Sequence, residues 1–392
     1  MNKHNVDTLG QVFTPDSFVL KMLDLRQNKG SILEPSVGAG AFWQHIKDEA
    51  DSTGVEIDPT WCPADVVNED FFVFDEDKKY DTIIGNPPYV GYKDIFDSTR
   101  SILSELYPSR SKKTNLYIFF IEKCLQLLED GGEIIFITPI DFLKQTSSKK
   151  LNTLLYEQGT ITHFYDYSDQ KVFKGFSPTV AIWRFQKDDY SRSTITDKGS
   201  KTFTCKDGLI SFIEYDNAIS LGDYFDVKVG GVSGMDKIFA HPDGNEEFVC
   251  SFTRTTGHTK TYYHDKVDDY IRENKKDLMN RKIKKFNEGN WWRWGREQYS
   301  SDKPRIYVNC KTRKDKPFFL HDCTNYDGSV LAIIPKENWD KERLENIVVQ
   351  LNSLDWGSMG FKQGKRYIFS QRALKNCLLP RSTVQTVQKK SS

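Results

Sequence analysis

The sequence predicts an α/β fold: a doubly wound, mostly parallel sheet with one antiparallel edge strand, followed by a C-terminal domain of mixed α/β character. Three observations predict it. Short β-branched runs recur through the first half with helical stretches between them, an alternation that builds parallel sheets with crossover helices. Beyond about residue 215 that rhythm stops, and short strands, many aromatics and one charged helical stretch near 264–286 take over. A chain of 392 residues, 38% hydrophobic and 28% charged, has room for two cores, placed at 1–215 and 216–392.

The elements follow in order. "SILEP", "TGVEI", "YDTIIGN" and "GEIIFITP" read as buried strands. Residues 115–129, "NLYIFFIEKCLQLLE", read as a helix stopped by Asp130-Gly131-Gly132. "TVAIWRF" (179–185) reads as the antiparallel edge strand, 187–202 as a polar loop or boundary, and the tail from 381 as loose. No apolar run approaches the roughly 18 residues that span a bilayer, and "MNKHNVDTLG" lacks a signal-peptide core. Seven dispersed cysteines with no C-x-x-C pair argue against a zinc site or a disulfide framework. The expectation is a cytoplasmic protein without membrane association and without a metal.

Chemistry concentrates at the strand ends. In "ILEPSVGAGAF", Glu34 precedes a turn whose Gly38 and Gly40 let a ligand approach the backbone, and whose helix start favours an anion. Glu34 itself is suited to an ammonium group. Glu56 closes the second strand, where a carboxylate can take both hydroxyls of a ribose. In "NEDFF", Asp70 can accept from an exocyclic amine while Phe71 packs on an adenine ring. Together they describe a pocket for an adenosine that bears an amino acid; no Walker-type Gly-Lys-Ser/Thr points to a nucleoside triphosphate. Oddest is "DTIIGNPPYVGY", a buried strand that ends in an amide, two prolines and an aromatic ring. Prolines give no N–H to a ladder and fix φ, so this loop is built to be rigid.

The order "GQVFTP", "LEPSVGAGAF", "GVEIDP", "NEDFF", "GNPPY", "NLYIFFIEKCLQLLEDGGEIIFITP" and "VFKGFSPTVAIWRF", over residues 10–185, resembles the gamma-class (NPPY) S-adenosylmethionine-dependent N6-adenine DNA methyltransferases of restriction–modification systems. "VGGVSGMDKIF" (229–239) is similar to the start of that family's target-recognition domain. The resemblance implies a Rossmann-like class I methyltransferase sheet, S-adenosyl-L-methionine as cofactor and double-stranded DNA as partner. It further implies a separately acting cognate restriction endonuclease, and we expect a monomer. By the same resemblance, Phe13, Thr14 and Pro15 close over the methionine end of the cofactor. Glu34, Pro35, Gly38 and Gly40 hold its amino-acid moiety, Glu56 its ribose, and Asp70 with Phe71 its adenine. Asn86, Pro87, Pro88 and Tyr89 form the catalytic loop. Tyr89 and Phe173, with Phe176 as the alternative, stack on an extruded base. NPPY loops also serve methyltransferases of RNA or of protein glutamine, and an inactive DNA-binding specificity protein is a further alternative.

Net charge is zero but uneven: residues 1–200 hold 22 Lys+Arg against 30 Asp+Glu, and residues 201–392 hold 33 against 25. Within 272–316 the count is 15 against 6, interleaved with aromatics, which suits a polyanion-binding face. Trp291, Trp292, Arg293, Arg305, Lys311 and Arg313 are the candidate DNA contacts.

Overall fold

The computed structural model describes residues 13–49, 51–74, 77–170, 172–173, 178–215 and 218–385. The chain divides into two compact units, the first ending at Glu214 and the second beginning at Tyr215.

The first unit is built on strands β1 (Ile32–Glu34), β2 (Ser52–Glu56), β3 (Val67–Asn68), β4 (Tyr80–Gly85), β5 (Leu128–Pro139), β6 (Gly159–Asp166), β7 (Val180–Lys187), β8 (Ser193–Thr196), β9 (Gly199–Lys206) and β10 (Leu209–Ile213). Their order is β10-β9-β8-β6-β7-β5-β4-β1-β2-β3. β3, β2, β1, β4 and β5 pair in parallel, and the chain order reverses at β1, the kind of switch point where doubly wound sheets bind ligands. Helices α1 (Asp16–Leu23), α2 (Trp43–Ile46), α3 (Asp97–Leu106), α4 (Leu116–Leu127) and α5 (Lys149–Gln158) accompany these strands. α4 is buried on almost every face, as its apolar sequence demands. Its two charged residues are satisfied inside: Glu122 by Arg110, and Lys123 by the Phe74 carbonyl at 3.0 Å.

Three expectations are corrected here. β7 runs antiparallel as expected, but it lies inside the sheet, between β5 and β6, with its first six residues buried rather than alternating. The polar stretch 187–202 is no boundary: it contributes β8 and the start of β9, in which exposed Ser193 and Ser200 alternate with buried Thr194 and Lys201. The tail holds structure as far as the short helix Ser382–Gln385, where Val384 is buried.

In the second unit, strands Phe225–Val229, Val330–Pro335, Ile306–Asn309 and Phe318–Leu320 form an antiparallel sheet in that order. The expected helix over 264–286 is instead two short helices, Asp269–Glu273 and Lys275–Met279, followed by irregular chain. The break falls at Asn274, whose side-chain amide donates to the Tyr270 carbonyl at 2.8 Å and takes an acceptor that helix continuation needs.

Candidate active site

The site grows from the carboxyl ends of β1, β2 and β4. β1 delivers Glu34 into the turn that follows, where Gly38 (φ +53°) and Gly40 (φ +81°) adopt the left-handed region. β2 delivers Glu56, whose carboxylate folds back on that turn: Oε2 accepts from the Gly38 N–H at 2.7 Å and Oε1 from the Asp58 N–H at 2.8 Å. β4 ends at Gly85, with φ +155°, and hands the chain to Asn86.

These strand ends open onto a cavity of about 1030 Å³, part of it open to solvent, which brings together Phe13, Thr14, Glu34, Pro35, Gly38, Glu56, Asp70, Phe71, Asn86 and Pro88. Pro15, Gly40, Pro87, Tyr89 and Phe173 stand outside its lining. Pro15 instead starts α1, and Gly40 shapes the turn by donating to the Val37 carbonyl at 2.9 Å.

Glu34 decides the chemistry of the cavity. It is 1% exposed, and its Oε2 has no hydrogen-bond partner among the described residues. Burial first, and the neighbouring Glu56 charge second, push its carboxyl well above the ordinary carboxylate range. Burial likewise raises Glu56, against the backbone N–H bonds that lower it. An unsatisfied buried acid beside a second carboxylate is a receptor for a cation.

At the far wall, Asp70 accepts from the Phe72 N–H at 3.0 Å and from the Thr99 hydroxyl at 2.5 Å, leaving one lone pair on each oxygen. Phe71 is stacked on Phe120, with ring centroids 4.9 Å apart and planes at 25°, so it serves cavity and core together. Several lining residues escaped the sequence reading: Ile57, Trp61, Phe96, Thr99 and Phe120. Trp61 and Phe13 are both part-exposed and meet edge to face at 5.6 Å. A tryptophan three residues past "EID", in a Pro-flanked loop, was the available signal.

The catalytic-loop candidates are held from several sides. The Asn86 Nδ2 donates to Thr14 Oγ1 at 3.0 Å, and the Ser36 hydroxyl donates to the Asn86 carbonyl at 3.2 Å. The Tyr89 hydroxyl donates to the Ile137 carbonyl at 2.7 Å, and burial raises its phenol well above the usual value. Tyr89 and Phe173 meet edge to face, 6.2 Å apart at 62°, rather than parallel, so a base between them requires one ring to turn. Phe176 lies outside the described residues.

Of the six candidate DNA contacts, two are withdrawn as surface groups. Trp291 is buried in an aromatic core, and Arg305 is 2% exposed with its guanidinium spent on the carbonyls of Ser301, Lys303 and Thr324. Both follow from non-local packing that a local charge count does not see. Trp292 is half-buried and donates to Asp265, while Arg293, Lys311 and Arg313 are exposed.

The sequence profile of the Eco57I restriction-modification methylases matches residues 42–173, which begin just after the glycine turn, include Glu56, Asp70 and the Asn86–Tyr89 loop, and end at Phe173. That match takes in 132 of the 392 residues, and over them the chain is similar to the family. The chain is 28% identical to the Type II methyltransferase M.HindII of Haemophilus influenzae, over 96% of this chain and 90% of that protein. It is 34% identical to M.HincII of Haemophilus influenzae, over 48% of this chain and 39% of that protein. With M.TthHB8I of Thermus thermophilus it shares 31% identity over 46% of this chain, and it spans less than half of the latter two relatives. In fold it resembles the Type IIL restriction-modification enzyme MmeI, solved with DNA, at a TM-score of 0.62 and 13% identity, over 96% of this chain and 69% of that one. S-adenosyl-L-methionine is the cofactor expected of such a methylase. The cavity fits it: the unsatisfied Glu34 suits the ammonium of its amino-acid end. Among the described residues no cluster of His, Cys, Asp or Glu could hold a metal ion, and no helix is long and apolar enough to cross a membrane.

Proposed function

We propose that this methylase is a site-specific DNA methyltransferase that acts on the N6 amine of an extruded adenine and protects DNA from a separately acting restriction endonuclease. The observation that carries the reading is the shared cavity: a buried, unsatisfied Glu34 on one wall and the anchored Asn86 on another.

When bound, S-adenosyl-L-methionine supplies an electrophilic methyl group on a cationic sulfur. The chain's residues bind and orient. Glu34 ionises to pair the ammonium, Gly38 allows the carboxylate end close to the backbone, Glu56 offers its remaining lone pairs to the ribose, and Asp70 offers its own to the adenine amine. Phe13, Thr14 and Trp61 cover the methionine side.

An adenine amine is a poor nucleophile because its lone pair is delocalised into the ring. Asn86 Oδ1 and the Pro87 carbonyl together accept its two N–H bonds, which favours a pyramidal nitrogen with a localised lone pair. Pro87 and Pro88 keep the loop from reorganising, so the acceptors are in place before the reaction. Thr14, by accepting from Nδ2, holds one end of the planar amide and so fixes the direction of Oδ1. Tyr89 and Phe173 then clamp the extruded ring once the two aromatic planes align.

The test is sequencing of DNA from cells that express the wild-type chain or its Asn86→Ala variant. N6-methyladenine at one short sequence, only with the wild type, is the expected result. Methylation of cytosine, or of no base, overturns the reading.

A further inference from the structure

We propose that the hexapeptide loop 281–286, Arg-Lys-Ile-Lys-Lys-Phe, is a pre-formed clamp for the phosphates of duplex DNA, presented by its three exposed lysines. This rests on DNA being the substrate, and within the basic stretch 272–316 it names residues other than the six candidate contacts drawn from sequence.

The loop forms no helix or strand, yet it is pinned at both ends. The Arg281 guanidinium is buried, donating to the carbonyls of Leu278 (2.8 Å), Ser233 (2.6 Å) and Trp291 (2.6 Å). It also sits 3.7 Å from the centroid of the Phe286 ring, so the first and last residues of the loop are joined to each other. Ile283, although 43% exposed, rests against two glycines in the middle. Its side chain fills the hollow over Gly234 and Gly295, where an added Cβ would come within 2.9 Å and 2.6 Å of Ile283 carbons.

What remains outward is charge. Lys282, Lys284 and Lys285 are exposed, none of them forms an ion pair among the described residues, and the hexapeptide contains no acid. Lys341, by contrast, is paired with Asp322. Three unneutralised ammonium groups on a tethered loop repel each other unless a polyanion covers them. Because the backbone is already fixed, little ordering entropy is lost when it does. Such contacts add affinity through counterion release without reading sequence.

The experiment measures binding of the full chain to duplex DNA of two unrelated sequences across a salt series. It compares the wild type, the Lys282→Gln/Lys284→Gln/Lys285→Gln variant, and a Lys341→Gln control, each checked for an unchanged melting temperature. The expected result is a salt dependence shallower by roughly 0.9 in the log–log slope for each phosphate no longer engaged. It appears on both duplexes in the triple variant and is absent in the control. A triple variant with the wild-type slope overturns the proposal, as does a shallower slope on only one of the two duplexes. A wild type that shows no duplex binding would instead remove the DNA reading beneath it, so the two failures are distinct.

Discussion

Glu34 carries a proton in the cofactor-free cavity over a wider pH range than an ordinary glutamate, because burial and Glu56 both oppose its charge. A carboxyl raised in this way favours the folded state fully below its unfolded value and loses that contribution as pH climbs through the raised one. An arriving ammonium reverses the preference, so binding of S-adenosyl-L-methionine below that raised value should release a proton. Calorimetry in buffers of different ionisation enthalpy should show this as a buffer-dependent heat, and Glu34→Gln should abolish the dependence and weaken binding. Equal heats in all buffers for the wild type would remove Glu34 from the ammonium site. Asn86 offers a second test. Asn86→Ala should lower methyl transfer by on the order of 10²-fold or more, as removal of a preorganised transition-state partner does, with cofactor affinity retained. Thr14→Val removes only the hydroxyl that accepts from the Asn86 amide; a single hydrogen bond of about 1 kcal/mol corresponds to a drop of about fivefold to tenfold. Thr14→Ser should restore the rate, and a normal rate in Thr14→Val would free Asn86 from this partner.

At the scale of elements, the four strands read from sequence all form, and the helix read over 115–129 forms over Leu116–Leu127. Their apolar periodicity and the Gly and Pro signals beside them are local, and local signals suffice where one face or the whole element is buried. The role of β7 was not legible from its own residues, since an interior and an edge strand differ by what lies beyond, here β6 and β8–β10. One clue was Arg184 within "TVAIWRF". It is buried in the sheet, with its Nε on Glu133 at 2.5 Å and its other donors on Thr162, Gln27 and Gln186. Glu133 in turn accepts from the backbone N–H of Gln27 and Asn28 and from the Thr82 hydroxyl, tying β4, β5 and β7 to the loop after α1. Arg184→Leu leaves that carboxylate buried and unpaired and should cost about 3–5 kcal/mol. Adding Glu133→Gln, which keeps an acceptor without the charge, should recover part of it. Denaturant midpoints measure both; a loss under about 1 kcal/mol for Arg184→Leu would show that water reaches the pair.

Across the whole molecule, charge is divided along the chain: acidic through residues 1–200, basic through 201–392. Binding of the full chain to duplex DNA should therefore weaken steeply with added salt, by roughly 0.9 in log–log slope per phosphate engaged, and a flat response would count against the basic half as the DNA face. Local signals in the chain were enough to locate the central strands of the first unit and the cavity-lining residues at their ends, Glu34, Glu56 and Asn86, because a parallel sheet sends successive strand ends to one side. Which residues meet was settled by packing alone. Packing set Thr14 against Asn86 across 72 positions and Phe71 against Phe120, and it put Trp291 and Arg305 inside the second unit while leaving the lysines of 282–285 outside. Periodicity and turn chemistry are properties of neighbours in the chain, whereas the burial of a charge or a ring depends on what distant segments bring to it.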